Sequence, residues 1–341
     1  MSLISAIVTT QNRPALLDEA LLSLINQSLP PSEIIVVDDG SHPRVNAETL
    51  TSKFGNTVRV VRNEEARGLA FSRNRGVEAA TSEFIVHLDD DDLLSPQAID
   101  HACALLSSDP ELDLVFLGAQ GFGARSEHFN RVQPEAVARV ITSGMGREDP
   151  QDIVSFDKWL IVALLLTVPI AFQRVVLRRE TWSQISALRW RAYQIEPDVP
   201  DDEAAKLRII GPLRDSEWAI YAAAICGKTA LINRPLYLQR CEGQGYSSQP
   251  ANIEQHMLQG LAIKNQLFRA SLSLPEFGKW KKQIRDSIAS AYFDTAYYYF
   301  RHGKRGTSLR YLRQALFISQ KPAYIRFAFR MWLPRRRAHI E

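Results

Sequence analysis

Cysteine is scarce: Cys103, Cys226 and Cys241 are the three present in 341 residues, an odd number with no Cys-x-x-Cys pair. That argues against a disulfide framework and a structural zinc site, and it fits a reducing cytoplasm. Excess charge is missing too. Lys and Arg number 41 against 38 Asp and Glu, a net charge of +3, which gives little reason to expect a nucleic-acid partner. No apolar run reaches the ~20 residues of a membrane-crossing helix; the longest, Trp159 to Phe172, is interrupted by Pro169 and reads as core. Met1-Ser2-Leu3-Ile4 lacks a basic n-region and a small-residue cleavage site, so no signal peptide is expected there. Gly118-Ala119-Gln120-Gly121-Phe122-Gly123 lacks G-x-G-x-x-G spacing, and no P-loop is visible.

What is there is a 45% hydrophobic, 23% charged chain, long enough for a large core or a domain with an appendage. Short β-branched runs, Ile4 to Thr9, Glu33 to Val37, Val58 to Val61, Phe84 to Leu88 and Leu112 to Leu117, alternate with amphipathic segments of helix length. Those segments are Pro14 to Asn26, Arg44 to Lys53, Leu69 to Ala80 and Pro96 to Leu106. The alternation implies βαβ units and a mostly parallel sheet covered on both faces, with ligands at the carboxyl ends of the strands. From Gly118 to about Asp157 the pattern loosens into expected long loops around one or two helices. The acidic, proline-punctuated stretch from Glu196 to Glu203 reads as a surface excursion. After about Ala251 the spacing turns helical, giving expected domains of 1–250 and 251–341.

Polar clusters follow three of the strand-like runs: Thr9-Thr10-Gln11-Asn12-Arg13, Asp38-Asp39-Gly40-Ser41 and Asp89-Asp90-Asp91-Asp92. Several carboxylates at one strand end repel one another, and a hard divalent cation relieves this. Mg²⁺ or Mn²⁺ typically binds one or two carboxylates plus substrate phosphates. The same run could instead be a solvated turn capping the helix near Ser95-Pro96. Gly40 permits a tight backbone beside Asp39, and Arg73 and Arg75, just inside a helix, can pair with carboxylate or phosphate or lie on the surface. His87, without a His or Cys partner at metal spacing, reads as a packed histidine.

Ile7-Val8-Thr9-Thr10-Gln11-Asn12-Arg13, Glu33 to Ser41, Gly68 to Gly76 and Leu88 to Asp92 occur in an order that resembles family 2 glycosyltransferases of the GT-A fold. The resemblance is close over roughly the first third of the chain. It implies a GT-A type, Rossmann-like sheet with flanking helices, to which the C-terminal helical region is appended, and a nucleotide-sugar donor site. Thr9, Asn12 and Arg13 would belong to the donor loop, Thr9 through its backbone. Asp39 would bind the base or its sugar, and Arg73, in Ser72-Arg73-Asn74, would brace the nucleotide. Asp89 and Asp91 would be the acidic pair of an Asp-x-Asp motif, Asp91 ligating Mn²⁺ or Mg²⁺, Asp89 nearer the ribose, and Asp92 supporting. The family usually has Pro at position 9 and Tyr at position 11.

Inverting transfer also needs a base to take the acceptor's proton. Asp215, in Leu213-Arg214-Asp215-Ser216-Glu217-Trp218, matches the family aspartate, but Arg214 stands where an acid is usual and Glu217 competes. Asp215 could equally cap a helix. Arg178 to Trp182 is similar to the acceptor-side segment, and Asn233 to Tyr237 with Gln239-Arg240 to the segment closing the catalytic domain. Gly243 to Ser248 is either a lid over the diphosphate or a plain connector.

The expected activity is sugar transfer to a saccharide or lipid-linked saccharide in bacterial-type surface polysaccharide or glycolipid synthesis. A non-catalytic nucleotide-sugar-binding scaffold and a nucleotidyltransferase are the alternatives. The expected setting is cytoplasmic. The C-terminal helix, with Ile325, Phe329, Trp332 and Leu333 among Arg326, Arg330 and Arg335 to Arg337, either docks on the protein or rests on an anionic membrane.

Overall fold

The computed structural model describes residues 4–142, 146–156, 174–195, 226–242 and 281–332, with scattered positions between 218 and 268. The chain divides into two compact units, Met1–Gln244 and Gly245–Glu341.

In the first unit, mostly apolar runs become strands: β1 (Ile4–Thr10), β2 (Glu33–Asp39) and β4 (Phe84–Asp89) are buried on both faces, while β3 (Val58–Asn63), at the sheet edge with Arg59 and Arg62, is half-buried. The helices between them are α1 (Pro14–Ile25), α2 (Ala47–Phe54) and α3 (Leu69–Ala79). Pro14 opens α1, where its missing N–H costs nothing. Asn46 caps α2 by accepting from the Thr49 amide. Beyond β4 come β5 (Leu93–Leu94), α4 (Ala98–Ser108), β6 (Leu112–Phe122), α5 (Ser126–Thr142), β7 (Arg147–Glu148), β8 (Ile153–Phe156), β9 (Val175–Arg178), α6 (Arg179–Ile195) and β10 (Lys228–Arg240).

Among the described residues these strands form one ten-stranded sheet in the order β3-β2-β1-β4-β9-β6-β10-β8-β7, with β5 on β10. The β3-β2-β1-β4 half is parallel throughout, while β9 runs antiparallel to both β4 and β6. The chain winds outward from β1 to β3, then returns to β4 on the other side of β1. That reversal opens a crevice at the carboxyl ends of β1 and β4, where Thr9 and Asp89 are register partners. Residues alternate between the two faces. Ile4, Ala6, Val8, Val36 and Val86 pack with Leu17, Leu21 and Leu24 of α1 and Ile99 and Cys103 of α4. Ile7, Ile35, Val37 and Ile85 pack on the other face with Val77 of α3 and Trp182 and Ile185 of α6.

The loosened region after Gly118 differs from the expectation of long loops. Strand β6 continues to Phe122, held by β10 from Ala119↔Tyr237 to Phe122↔Arg240. Gly118 permits the crossover, because a Cβ there would lie 2.4 Å from the Arg234 carbonyl oxygen. The apolar run 159–172 and the acidic stretch 196–203 lie outside the described residues. No described helix is long and apolar enough to cross a membrane.

The second unit contains α7 (Lys281–Arg301), α8 (Arg305–Ile318) and α9 (Pro322–Trp332). Their core is aromatic: Tyr299 stacks on Tyr311 at 5.5 Å and Phe293 on Tyr324 at 4.5 Å between ring centroids.

Candidate donor and metal site

The loops that follow the parallel strands are tied to one another by short side chains. The Asn12 amide donates to Ser41 Oγ (3.0 Å) and the His42 amide to Asn12 Oδ1 (2.7 Å), joining the β1 and β2 ends. Asn12 takes φ +58°, a left-handed conformation that asparagine tolerates better than most residues. Asp39, buried at the end of β2, accepts from Asn63 Nδ2 (2.8 Å) and from the amides of Arg67 (2.8 Å) and Gly68 (2.9 Å). Its carboxylate thereby sets where the loop before α3 lies. Gly40, at φ +73°, lets that loop close in, since a Cβ there would stand 2.6 Å from the Ala66 nitrogen.

On α3, Arg73 is 2% exposed and places Nη2 2.7 Å from Asp89 Oδ1. Asn74 accepts from the indole N–H of Trp182 (3.1 Å), and the Trp182 ring lies 4.7 Å from the His87 ring beneath β4. His87 is a packed residue, as its lack of partners at metal spacing implied. Burial, with the Arg73 charge beside it, pushes its pKa well below the ordinary histidine value and keeps the ring neutral.

The aspartate run is not a solvated turn. Nor does it cap α4, whose N-cap is Gln97, without a side-chain capping bond. Its four carboxylates have different surroundings. Asp90 turns inward, accepting from Thr10 Oγ1 (2.7 Å) and Arg13 Nη1 (3.1 Å), and the same Nη1 reaches Asp91 Oδ2 at 3.1 Å. Burial raises the Asp90 pKa to about 6 against the opposing pull of Thr10 and Arg13. Asp92 is also buried and is held from far along the chain: Tyr237 Oη donates to Oδ2 (2.6 Å) and the Arg240 amide to Oδ1 (2.8 Å). Burial, then the charge of Asp89, raises its pKa to about 7. Arg240 Nε also donates to the Asp91 carbonyl (2.9 Å).

Asp89, Asp91 and Asp92 can each offer an oxygen such that all three lie within 4.8 Å of one another. An all-oxygen set of carboxylates fits a hard divalent ion such as Mg²⁺ or Mn²⁺ better than a soft one. The residues fit the group, and two raised carboxylate pKa values mark a place where negative charge is costly without a cation. Of the residues expected from sequence, the structure gathers Thr9, Asn12, Arg13, Asp39, Arg73, Asp89 and Asp91 along the one crevice. Asp215, Glu217 and the 243–248 segment lie outside the described residues.

Residues 5–155 match the family model for Glycosyl transferase family 2. Over those residues, less than half of the chain, the protein is similar to that family. Similar curated proteins include an uncharacterized glycosyltransferase of Haemophilus influenzae, 32% identical over 33% of this chain and 38% of that one. The putative glycosyltransferase EpsH of Bacillus subtilis is 36% identical over 33% and 32%. A Campylobacter jejuni protein named GalNAc(5)-diNAcBac-PP-undecaprenol beta-1,3-glucosyltransferase is 35% identical over 29% and 33%. The chain thus spans about a third of the length of these relatives. A solved structure of S. aureus TarS 1-349 in complex with UDP-GlcNAc has the same fold at TM-score 0.52 and 15% identity, covering 94% of this chain and 92% of that one.

The family 2 match ends at 155, yet two groups that fix the aspartate run, Tyr237 and Arg240, lie beyond it. Sequence reading placed both in a closing segment without seeing their task. The signal available was a tyrosine hydroxyl and an arginine on an apolar strand, both of which require polar partners when buried. Arg174 went unread. It is buried between the Phe129 and Tyr237 rings, donates to Gln133 and Gln239, and its pKa is lowered by burial.

Proposed function

We propose that this protein is an inverting glycosyltransferase that moves a sugar from a nucleoside-diphosphate sugar to an acceptor hydroxyl. The observation that carries the reading is the carboxylate set Asp89, Asp91 and Asp92 beside the buried Arg73, at the sheet's point of reversal. Asp91, the most open of the three toward the crevice by its partners, is the direct metal ligand, with Asp89 toward the ribose side and Asp92 supporting. Bound there, Mn²⁺ or Mg²⁺ would offset the charge gathering on the leaving diphosphate. Thr9, Asn12 and Arg13 line the donor loop, and Asp39 both orders the 64–68 loop and faces the base end. Asp215, or Glu217 in its place, takes the acceptor's proton as the new bond forms, and single displacement inverts the anomeric centre.

Two relatives support a lipid-linked or lipid acceptor: the GalNAc(5)-diNAcBac-PP-undecaprenol beta-1,3-glucosyltransferase and a cholesterol galactosyltransferase of Borreliella burgdorferi. The UDP-GlcNAc complex of TarS supports a nucleotide-sugar donor. The reading extends to surface polysaccharide or glycolipid synthesis, from the cytoplasmic face of a membrane.

A thermal-shift screen of nucleoside diphosphates and their sugars with and without Mn²⁺, followed by product analysis, tests this. The expected result is Mn²⁺-dependent stabilisation and release of a nucleoside diphosphate on transfer. Asp91→Ala is expected to abolish both. Asp215→Asn is expected to cut transfer by roughly 10²-fold or more while leaving donor stabilisation intact. Donor binding without turnover across a broad acceptor panel would leave a nucleotide-sugar-binding scaffold, and pyrophosphate release from a nucleoside triphosphate a nucleotidyltransferase.

A further inference from the structure

Between Thr295 and Ile340 the chain has eleven Lys and Arg and no Asp or Glu, so the rest of a nearly neutral chain is net acidic. Much of this acid-free stretch is α8 and α9. Helix α8 buries Ser308, Tyr311, Leu312 and Ala315, and the exposed Arg310, Arg313 and Phe317 fall at i, i+3 and i+7 on the opposite stripe. Helix α9 buries Tyr324, Phe327 and Met331 against the same core. Its outward stripe is Ile325, Arg326, Phe329 and Arg330. The apolar members of these stripes stand well out: Phe317 is 85% exposed and Phe329 69%.

Scattered exposed apolar residues are ordinary, but here each lies beside arginines that have no ion-pair partner among the described residues. The lysines of the region differ, Lys304 pairing with Glu254 at 3.6 Å and Lys321 with Asp286 at 3.9 Å. A helix packed on one side, with phenylalanine, isoleucine and unpaired arginine on the other, is the chemistry of an interfacial surface. The apolar groups enter the boundary of the acyl chains while guanidinium groups meet lipid phosphates. A nucleic acid would satisfy the arginines and leave Ile325 in water.

We propose that the outward faces of α8 and α9 are a docking surface for an anionic bilayer. This deepens the reading of a lipid-linked acceptor, because it would keep the protein where such an acceptor lies, but binding can be measured without turnover. The test is flotation of the full chain with phosphatidylcholine vesicles with and without phosphatidylglycerol. Binding is expected to the anionic vesicles alone and to weaken as salt rises. Replacing both Arg326 and Arg330 by Ala should weaken it about 30-fold, Phe329→Ser should weaken it as well, and Arg326→Lys with Arg330→Lys should retain most of it. All these side chains are exposed, so helical circular dichroism should not change. Equal binding to neutral vesicles, indifference to the double alanine variant, or tighter binding to a DNA duplex than to anionic vesicles would overturn the proposal. Vesicle binding by a protein that transfers no sugar would overturn the transferase reading and leave this one standing.

Discussion

Asp90 and Asp92 are the two carboxylates of the run that their surroundings make reluctant to ionise, and they were the two least legible in sequence. Four consecutive aspartates look alike on paper. They are distinguished by Thr10 and Arg13 on one side and by Tyr237 and Arg240 on the other, the latter pair about 145 residues away. Asp90, to which the family resemblance gives no role, is the anchor that joins the run to the β1 loop. The raised pKa values, about 6 and about 7, have a signed consequence. Both exceed the ordinary value of about 3.9, so between about pH 4 and pH 7 the native state holds protons that the unfolded chain has released. Stability therefore falls as pH rises through that window. Glu33, held near 2 chiefly by Ser5, Thr81 and Arg59 in spite of its burial, acts below it: its stabilisation is present above about pH 4.3 and fades as pH falls. Urea unfolding in chelator should lose up to about 5 kcal/mol between pH 4.5 and 7.5. Mn²⁺ should restore that loss at pH 7.5 and do far less at pH 5, where protons compete for the ligands. A flat chelator profile, or a Mn²⁺ effect equal at both pH values, would show that the carboxylates are not under this strain.

At the scale of elements, the first four strands and their helices are legible because short β-branched runs alternate with helices that repeat at 3.6 residues. Strand β6 past Gly118 was not, because its glycines read as loop. Only its pairing with β10 makes it a strand, and glycine is what the close passage of Arg234 requires. Helix α3 shows what such packing does for the site, since it carries Arg73 to Asp89. Gly76 lies where α3 presses on the sheet, and a Cβ there would come 2.3 Å from Ile7 Cγ2 and 3.2 Å from Val37 Cγ2. Gly76→Ala should therefore cost about 1–3 kcal/mol by overpacking, despite alanine's better helix propensity. It should also weaken donor-induced stabilisation by moving Arg73. Gly306→Ala, near the start of α8 with nothing within 4 Å of the added Cβ, should instead stabilise by up to about 1 kcal/mol. Denaturant midpoints for the pair give the comparison, and a stabilised Gly76→Ala would mean that α3 does not sit as tightly on β1 and β2 as the structure has it.

For the whole molecule, the residues that make the donor crevice and those of the acid-free helices belong to two units with separate cores: the aliphatic faces of the sheet, and the tyrosine and phenylalanine cluster of α7 to α9. Asp215 and Glu217 are assigned by residue type and motif position, while the metal-side carboxylates have hydrogen-bond partners at defined distances, so the donor half of the reaction rests on geometry and the acceptor half on chemistry. The two-core organisation gives that donor half a test of its own. A ligand stabilises the state that binds it in proportion to the logarithm of its concentration over its dissociation constant, and units with their own cores can unfold in separate steps. Calorimetry of the full chain should then show more than one transition, and a nucleoside diphosphate with Mn²⁺ at 100 times its dissociation constant should raise the stability of the sheet unit by about 2.7 kcal/mol. The helical unit's transition should stay where it is with nucleotide and move when anionic vesicles are added instead. If nucleotide moves every transition together, the two units are energetically coupled, and the acid-free helices would be answering to the donor site as well as to the lipid surface.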